Sequence, residues 1–213
     1  MQLCEQYRPK TFDEVVGQDN VIETIRNLRA RGLAGRAWWI AGQSGTGKTT
    51  IAKLLANEVV ASELSIDELD ATNLTPAKLH SIEQEMQMYG FGGKGRAYIV
   101  NEAHGLSRPA IRQLLVLLER LPKHVIWIFT TTNEGEDNLF DEKIDAHPLL
   151  SRCQPLYLAR RGLAKPFAER AREIADAEGL NGKPVEDYVK LVRKCKNNMR
   201  AVLQEIESGA MLK

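Results

Sequence analysis

The chain has no apolar run approaching the roughly 20 residues needed to cross a bilayer. Its apolar stretches are short segments such as 125–129, so no membrane helix is expected. The opening residues, MQLCEQYRPK, lack the apolar centre of a secretory signal. A cytoplasmic protein is the expectation. Cysteine is scarce: Cys4, Cys153 and Cys195 are isolated and odd in number. That excludes a disulfide framework and a CxxC zinc site, and leaves three reduced thiols. Charge of one sign is lacking too. A formal net charge of +1 excludes a globally basic nucleic-acid binder, so any contact with phosphate must come from a local group. The chain also carries no internal repeat and no low-complexity segment.

What is present is globular material. With 213 residues, 43% hydrophobic and 27% charged, the chain suffices for one α/β core and a small second domain. Apolar spacing predicts a first helix over 21–30, ended by Gly32 and Gly35. A strand in AWWIAG and a helix over 48–60 follow. The alternation then repeats, with a strand near 68–71, a helix over 76–88, a strand over 97–100, a helix over 108–121 and a strand over 125–130. Alternating strands and helices of this length imply a parallel sheet covered on both faces. Beyond SRCQPLYLARR the pattern turns to helices alone, over 165–178, 184–196 and 198–208, with the domain boundary near 158. The expected units are therefore 1–158 and 159–213.

The strongest local signal is GQSGTGKT, which satisfies GxxxxGK[ST] between a predicted strand and a predicted helix. In such a loop, Gly42, Gln43, Ser44, Gly45, Thr46 and Gly47 leave backbone N–H groups to cradle phosphate at a helix N-terminus, with Thr50 in the helix that follows. Lys48 is expected to reach the terminal phosphates, and Thr49 to bind Mg²⁺. ATP and Mg²⁺ are thus the expected cofactors.

The third predicted strand ends in VNEAH. Glu102 is placed to polarise an attacking water. Asn101 stands where a magnesium-dependent ATPase ordinarily has aspartate, keeping an acceptor oxygen but losing the charge. A slow ATPase with a raised Mg²⁺ requirement is expected, which Asn101→Asp should relieve. His104 reads as a packed or capping histidine. Thr132 and Asn133 close the next strand, where a neutral group can hold a phosphate or the water. Lys94, Arg96, Arg108 and Arg112 form a candidate phosphate-contacting group, and an acidic run occupies 134–142.

YRPKTFDEVVGQ, the glycine-rich loop, EAH, LLVLLERLPKHVIWIFTTT, SRC and NMRAVLQEIE together resemble the ATPase module of DNA clamp loaders, in the family's order and at near-family spacing. That family holds the bacterial DNA polymerase III gamma/tau subunit and the small subunits of replication factor C. The resemblance implies an AAA+ P-loop fold, with a parallel five-stranded sheet flanked by helices and a small three-helix lid. It implies that Tyr7, Arg8, Pro9, Val16 and Gly17 line the adenine pocket and that Glu102 is the catalytic base. Thr132 would be the first sensor, with Asn133 the alternative. Arg152 would be an arginine finger for a neighbouring subunit's ATP, and Arg200 a second sensor in the lid. The implied partners are other clamp-loader subunits, the sliding clamp and primer-template DNA, faced by the helix that carries Arg108 and Arg112.

The chain departs from that pattern at Asn101, in the longer segment 134–150, in lacking the gamma/tau zinc cysteines, and in stopping where a collar domain is expected. Two other functions stay open: a replication-associated recombination ATPase, and a structural subunit that holds nucleotide without hydrolysing it.

Overall fold

The computed structural model describes residues 2–132 and 147–212. Five strands make a single sheet: β1 (Arg36–Ala41), β2 (Ile66–Asp70), β3 (Arg96–Asn101), β4 (Val125–Thr131) and β5 (Cys153–Tyr157). Their spatial order is β2-β3-β4-β1-β5, and every pair is parallel. The central strands β1, β3 and β4 are apolar and almost wholly buried, as strands covered on both faces must be. The outer strands are polar. β2 carries Asp67, Glu68 and Asp70, and β5 carries Pro155, whose missing N–H is tolerated at a sheet edge.

The strand period of two assigns the tryptophans to opposite faces. Trp38 and Ile40 join Ile99, Ile126 and Ile128 beneath α3 (Lys48–Val59), which contributes Ile51 and Leu55. Trp39, Tyr98, Trp127 and Phe129 lie on the other face with Leu79 and Ile82 of α4 (Pro76–Glu85) and Ile111 and Leu114 of α5 (Arg108–Glu119). Both α4 and α5 begin with a capping hydroxyl, Thr75 and Ser107, followed by proline in the first turn. The remaining sheet-domain helices are α2 (Asp19–Arg29) and the single turn α6 (His147–Leu150) before β5. The helix expected over 76–88 stops at Glu85, and beyond it the exposed Tyr89 ring stacks on His124 at 4.1 Å.

Helices α7 (Ala164–Ala177), α8 (Val185–Lys194) and α9 (Met199–Glu207) form the lid, as the helical periodicity indicates. Its core holds Phe167, Ile174, Tyr188, Val192, Val202 and Ile206. Leu3 of the N-terminal turn α1 (Leu3–Gln6) is buried in the same cluster, with Tyr7 and Val16 packed against it. The lid core thus draws residues from both ends of the chain, which the sequence units 1–158 and 159–213 did not include.

Candidate active site

β1 runs into the phosphate loop and the loop into α3, with Gly45 at φ +74° and Gly47 at φ +107°, conformations that exclude most side chains. Gly42 is packed as closely: an added Cβ would lie 2.8 Å from the Leu158 side chain. Lys48 opens the helix and is buried, its ammonium donating to the carbonyls of Gly42 at 2.9 Å and Gln43 at 3.1 Å. Burial lowers its pKa, the nearby Glu102 carboxylate opposes this, and Arg200 adds to it.

The cleft over this loop is walled by Tyr7, Arg8, Pro9 and Val16 of the N-terminal segment. Ser44 through Thr50 form its floor, Glu102 one side, and Phe167, Met199 and Arg200 of the lid the other. Tyr7, Arg8, Pro9 and Val16, named from the resemblance, are thus brought together with the phosphate loop. Gly17 is not a lining residue: at φ +73°, an added Cβ would meet Leu163 of the lid at 2.7 Å. Its role is close packing. Tyr7 donates its hydroxyl to Glu178 at 2.6 Å, which raises the phenol's pKa, and Arg8 pairs with Glu5 at 2.5 Å and lowers that carboxyl.

At the C-terminal end of β3, Glu102 adopts φ +51° and ψ +51°, a left-handed conformation uncommon for a residue with a side chain. Its carboxylate accepts from Thr132 Oγ1 at 3.4 Å and lies 3.4 Å from His104 Nδ1, whose ring also approaches Thr131 Oγ1 at 3.3 Å. His104 is thus more than packing. Its contact with Glu102 is local, two residues apart, whereas the approach to Thr131 crosses between two strand ends and was not announced by spacing. Asn133 falls outside the described residues, as does the acidic run 134–142.

Asn101 does not line the cleft. Its side chain bridges Glu68 and Thr130 across the neighbouring strands. Arg152 also lies outside the cleft, with Nε and Nη2 donating to Glu119 of α5 at 3.2 and 2.5 Å and Nη1 to the Pro148 carbonyl at 2.9 Å.

The four basic residues do not form one patch. Lys94 and Arg96 precede β3 or begin it, whereas Arg108 and Arg112 follow its far end on α5, roughly 17 Å of strand away. Arg96 is half-buried, and its Nε has no hydrogen-bond partner among the described residues.

A residue that sequence reasoning passed over ties the site together. Gln18 is 1% exposed. It donates from Nε2 to the Thr46 carbonyl at 3.3 Å and accepts at Oε1 from the Ala159 N–H at 2.7 Å, linking phosphate loop and lid connection. Met199 N–H donates to the Gly45 carbonyl at 3.1 Å, so the lid grips the loop directly.

The sheet core and site also answer to a known family. The description "ATPase family associated with various cellular activities (AAA)" matches residues 39–158. The chain belongs to the AAA family of ATPases. This AAA ATPase is 28% identical over 200 residues to DNA polymerase III subunit tau of Bacillus subtilis, covering 84% of this chain and 34% of that protein. It is 30% identical over 173 residues to DNA polymerase III subunit gamma of Buchnera aphidicola, covering 71% and 45%. The AAA chain thus spans less than half the length of these relatives. Among solved structures, the Thermotoga maritima RuvB Holliday junction branch migration motor superposes with a TM-score of 0.72 at 20% identity, over 94% of this chain and 64% of that one. At that identity the likeness is one of fold. Among the described residues of this AAA ATPase, no helix is long and apolar enough to cross a membrane.

Proposed function

We propose that this AAA ATPase is the ATP-binding and hydrolysing subunit of a DNA sliding-clamp loader, coupling ATP to clamp opening and loading on primed DNA. The observation that carries the reading is convergence: Lys48, Glu102 and Arg200 face one cleft that the Tyr7–Pro9 segment also walls. The similarity to gamma and tau subunits supports the choice of assembly.

Lys48 binds the terminal phosphates together with the loop N–H groups, and Arg200 closes the lid side. Glu102 takes the proton of the attacking water, with Thr132 and His104 orienting its carboxylate. The residues present fit magnesium. Thr49, which lines the cleft, offers an oxygen donor, and phosphate and water would supply the remaining ligands. When bound with nucleotide, that ion neutralises charge developing on the phosphates.

Arg152, outside its own cleft, serves the ATP of a neighbouring subunit, which requires release from Glu119. Arg108 and Arg112 on the first turns of α5 contact the DNA backbone. Lys94 and Arg96, at the opposite end of the strand, fall outside that surface.

Steady-state ATPase assays with and without primed DNA, clamp and partner subunits test the reading. Turnover that rises with the full assembly and disappears in Glu102→Gln, while nucleotide still binds, supports it. Nucleotide binding with no turnover under any of these conditions would instead identify a nucleotide-holding subunit.

A further inference from the structure

A buried glutamine needs partners at both ends of its amide, since a polar group left unpaired in a dry interior costs free energy. Buried Gln18 has both: Nε2 donates to the Thr46 carbonyl at 3.3 Å, and Oε1 accepts from the Ala159 N–H at 2.7 Å. A carbonyl can only accept and an N–H can only donate, so these partners leave one orientation of the amide open. The backbone of Gln18 is fixed as well. It directly precedes α2, and its carbonyl accepts the N–H groups of Val21 and Ile22, each at 3.0 Å.

The anchor for this side chain is the connection between β5 and the lid. Leu158, the residue before Ala159, donates its N–H to the Ala41 carbonyl at 2.8 Å. Ala41 ends β1, where the phosphate loop begins. Successive N–H groups of one connection therefore tie both ends of the loop: Leu158 holds its start directly, and Ala159 holds Thr46 through Gln18. Thr46 and Gly47 line the cleft, whereas Gln18 does not. The Thr46 carbonyl and the Gly47 N–H belong to one peptide unit. That unit is trans, like every peptide bond among the described residues, so its carbonyl and its N–H point in opposite directions. Gly47 stands at φ +107°, and a glycine has little steric preference with which to hold the peptide unaided.

We propose that Gln18 is a positioning residue for phosphate binding: by drawing the Thr46 carbonyl back, away from the cleft, it aims the Gly47 N–H at the phosphates of a bound nucleotide. The inference rests on the reading of the cleft as a nucleotide site. It assigns a buried side chain that touches no ligand a share in phosphate affinity, and none in affinity for the base and ribose.

The test compares ADP with adenosine, which lacks phosphate, by calorimetric titration of the intact chain. Gln18→Met keeps the length of the side chain and loses both hydrogen bonds. It is expected to weaken ADP about 10-fold or more, the scale of one hydrogen bond to a charged group, with adenosine affinity unchanged. Gln18→Glu keeps an oxygen for the Ala159 N–H but, as a carboxylate, brings no hydrogen to Thr46. It is expected to weaken ADP at least as much, and thermal unfolding reports whether each variant is folded. A measurement on the wild type needs no variant: with ¹⁵N-labelled glycine, ADP is expected to shift the Gly47 amide resonance and slow its hydrogen exchange, and adenosine is not. Unchanged ADP affinity in folded Gln18→Met, equal losses of ADP and adenosine, or a Gly47 amide that ignores bound ADP overturns the proposal while sparing the cleft. A wild type that binds neither ligand removes the nucleotide reading and the proposal with it.

Discussion

Replacing Gly45 by alanine tests how the lid holds the phosphate loop. At φ +74°, a residue with a Cβ pays roughly 1–2 kcal/mol in backbone energy. The added carbon would also fall 1.9 Å from Asn198 Oδ1 and 2.9 Å from Asn198 Cα, so α9 must move. Displacing Asn198 forfeits its cap on the Ala201 N–H, about 1 kcal/mol. It also breaks the bond from Met199 N–H to the Gly45 carbonyl, about 1 kcal/mol net. The expected loss is about 3–4 kcal/mol. Gly162→Ala is the internal control. Gly162 lies at φ +77° with nothing within 4 Å of an added Cβ, so that variant carries the backbone cost alone, roughly 1–2 kcal/mol. Urea unfolding of both variants, compared through midpoints and slopes, should separate them by about 2 kcal/mol. Equal losses in the two variants would refute the claim that the lid is braced on Gly45.

Further outcomes follow from the same contacts. Arg152→Ala should leave nucleotide affinity unchanged and cost at most about 1 kcal/mol of stability, since its pair with Glu119 is exposed; calorimetry and assembly-stimulated turnover, expected to fall ~10³-fold, check both halves. Burial pushes the Cys153 thiol up to about 12. At pH 8 its thiolate fraction is then on the order of 10⁻⁴, so iodoacetamide should label half-buried Cys4 ahead of Cys153, which should react only in urea or as pH climbs towards that value. Arg108→Ala with Arg112→Ala should reduce the salt dependence of primed-DNA binding by about one to two phosphate contacts, and equal slopes would remove these residues from the DNA surface.

The parts of this molecule that were legible in its sequence are those specified locally. The phosphate loop announces itself because the turn demands glycine at Gly45 and Gly47 and the chemistry demands Lys48 and Thr49, all within eight residues. The long amphipathic helices α7 to α9 read out by period alone. The short turns α1 and α6 have too few residues for any period, and β5, with Pro155 inside, was not given a span of its own. What escaped entirely were contacts made across space. Glu68 reaches Asn101 only because β2 and β3 are neighbours, with Asp70 opposite Asn101 in the register. Gln18 reaches Ala159 across the length of the chain. The basic group looked continuous because its members are near in sequence, but an intervening strand separates them. Sequence proximity along a strand is spatial distance.

The central claim is that the cleft built on β1 and α3 binds ATP through Lys48. Titration of a fluorescent ATP analogue against wild type and Lys48→Ala tests it most directly, with thermal unfolding of both proteins as the control for folding. A buried ammonium that meets phosphate makes charge-assisted hydrogen bonds worth about 1.5–3 kcal/mol, so the account predicts that the variant stays folded and binds roughly 10- to 100-fold more weakly. Equal affinity of the two folded proteins for the nucleotide would contradict it.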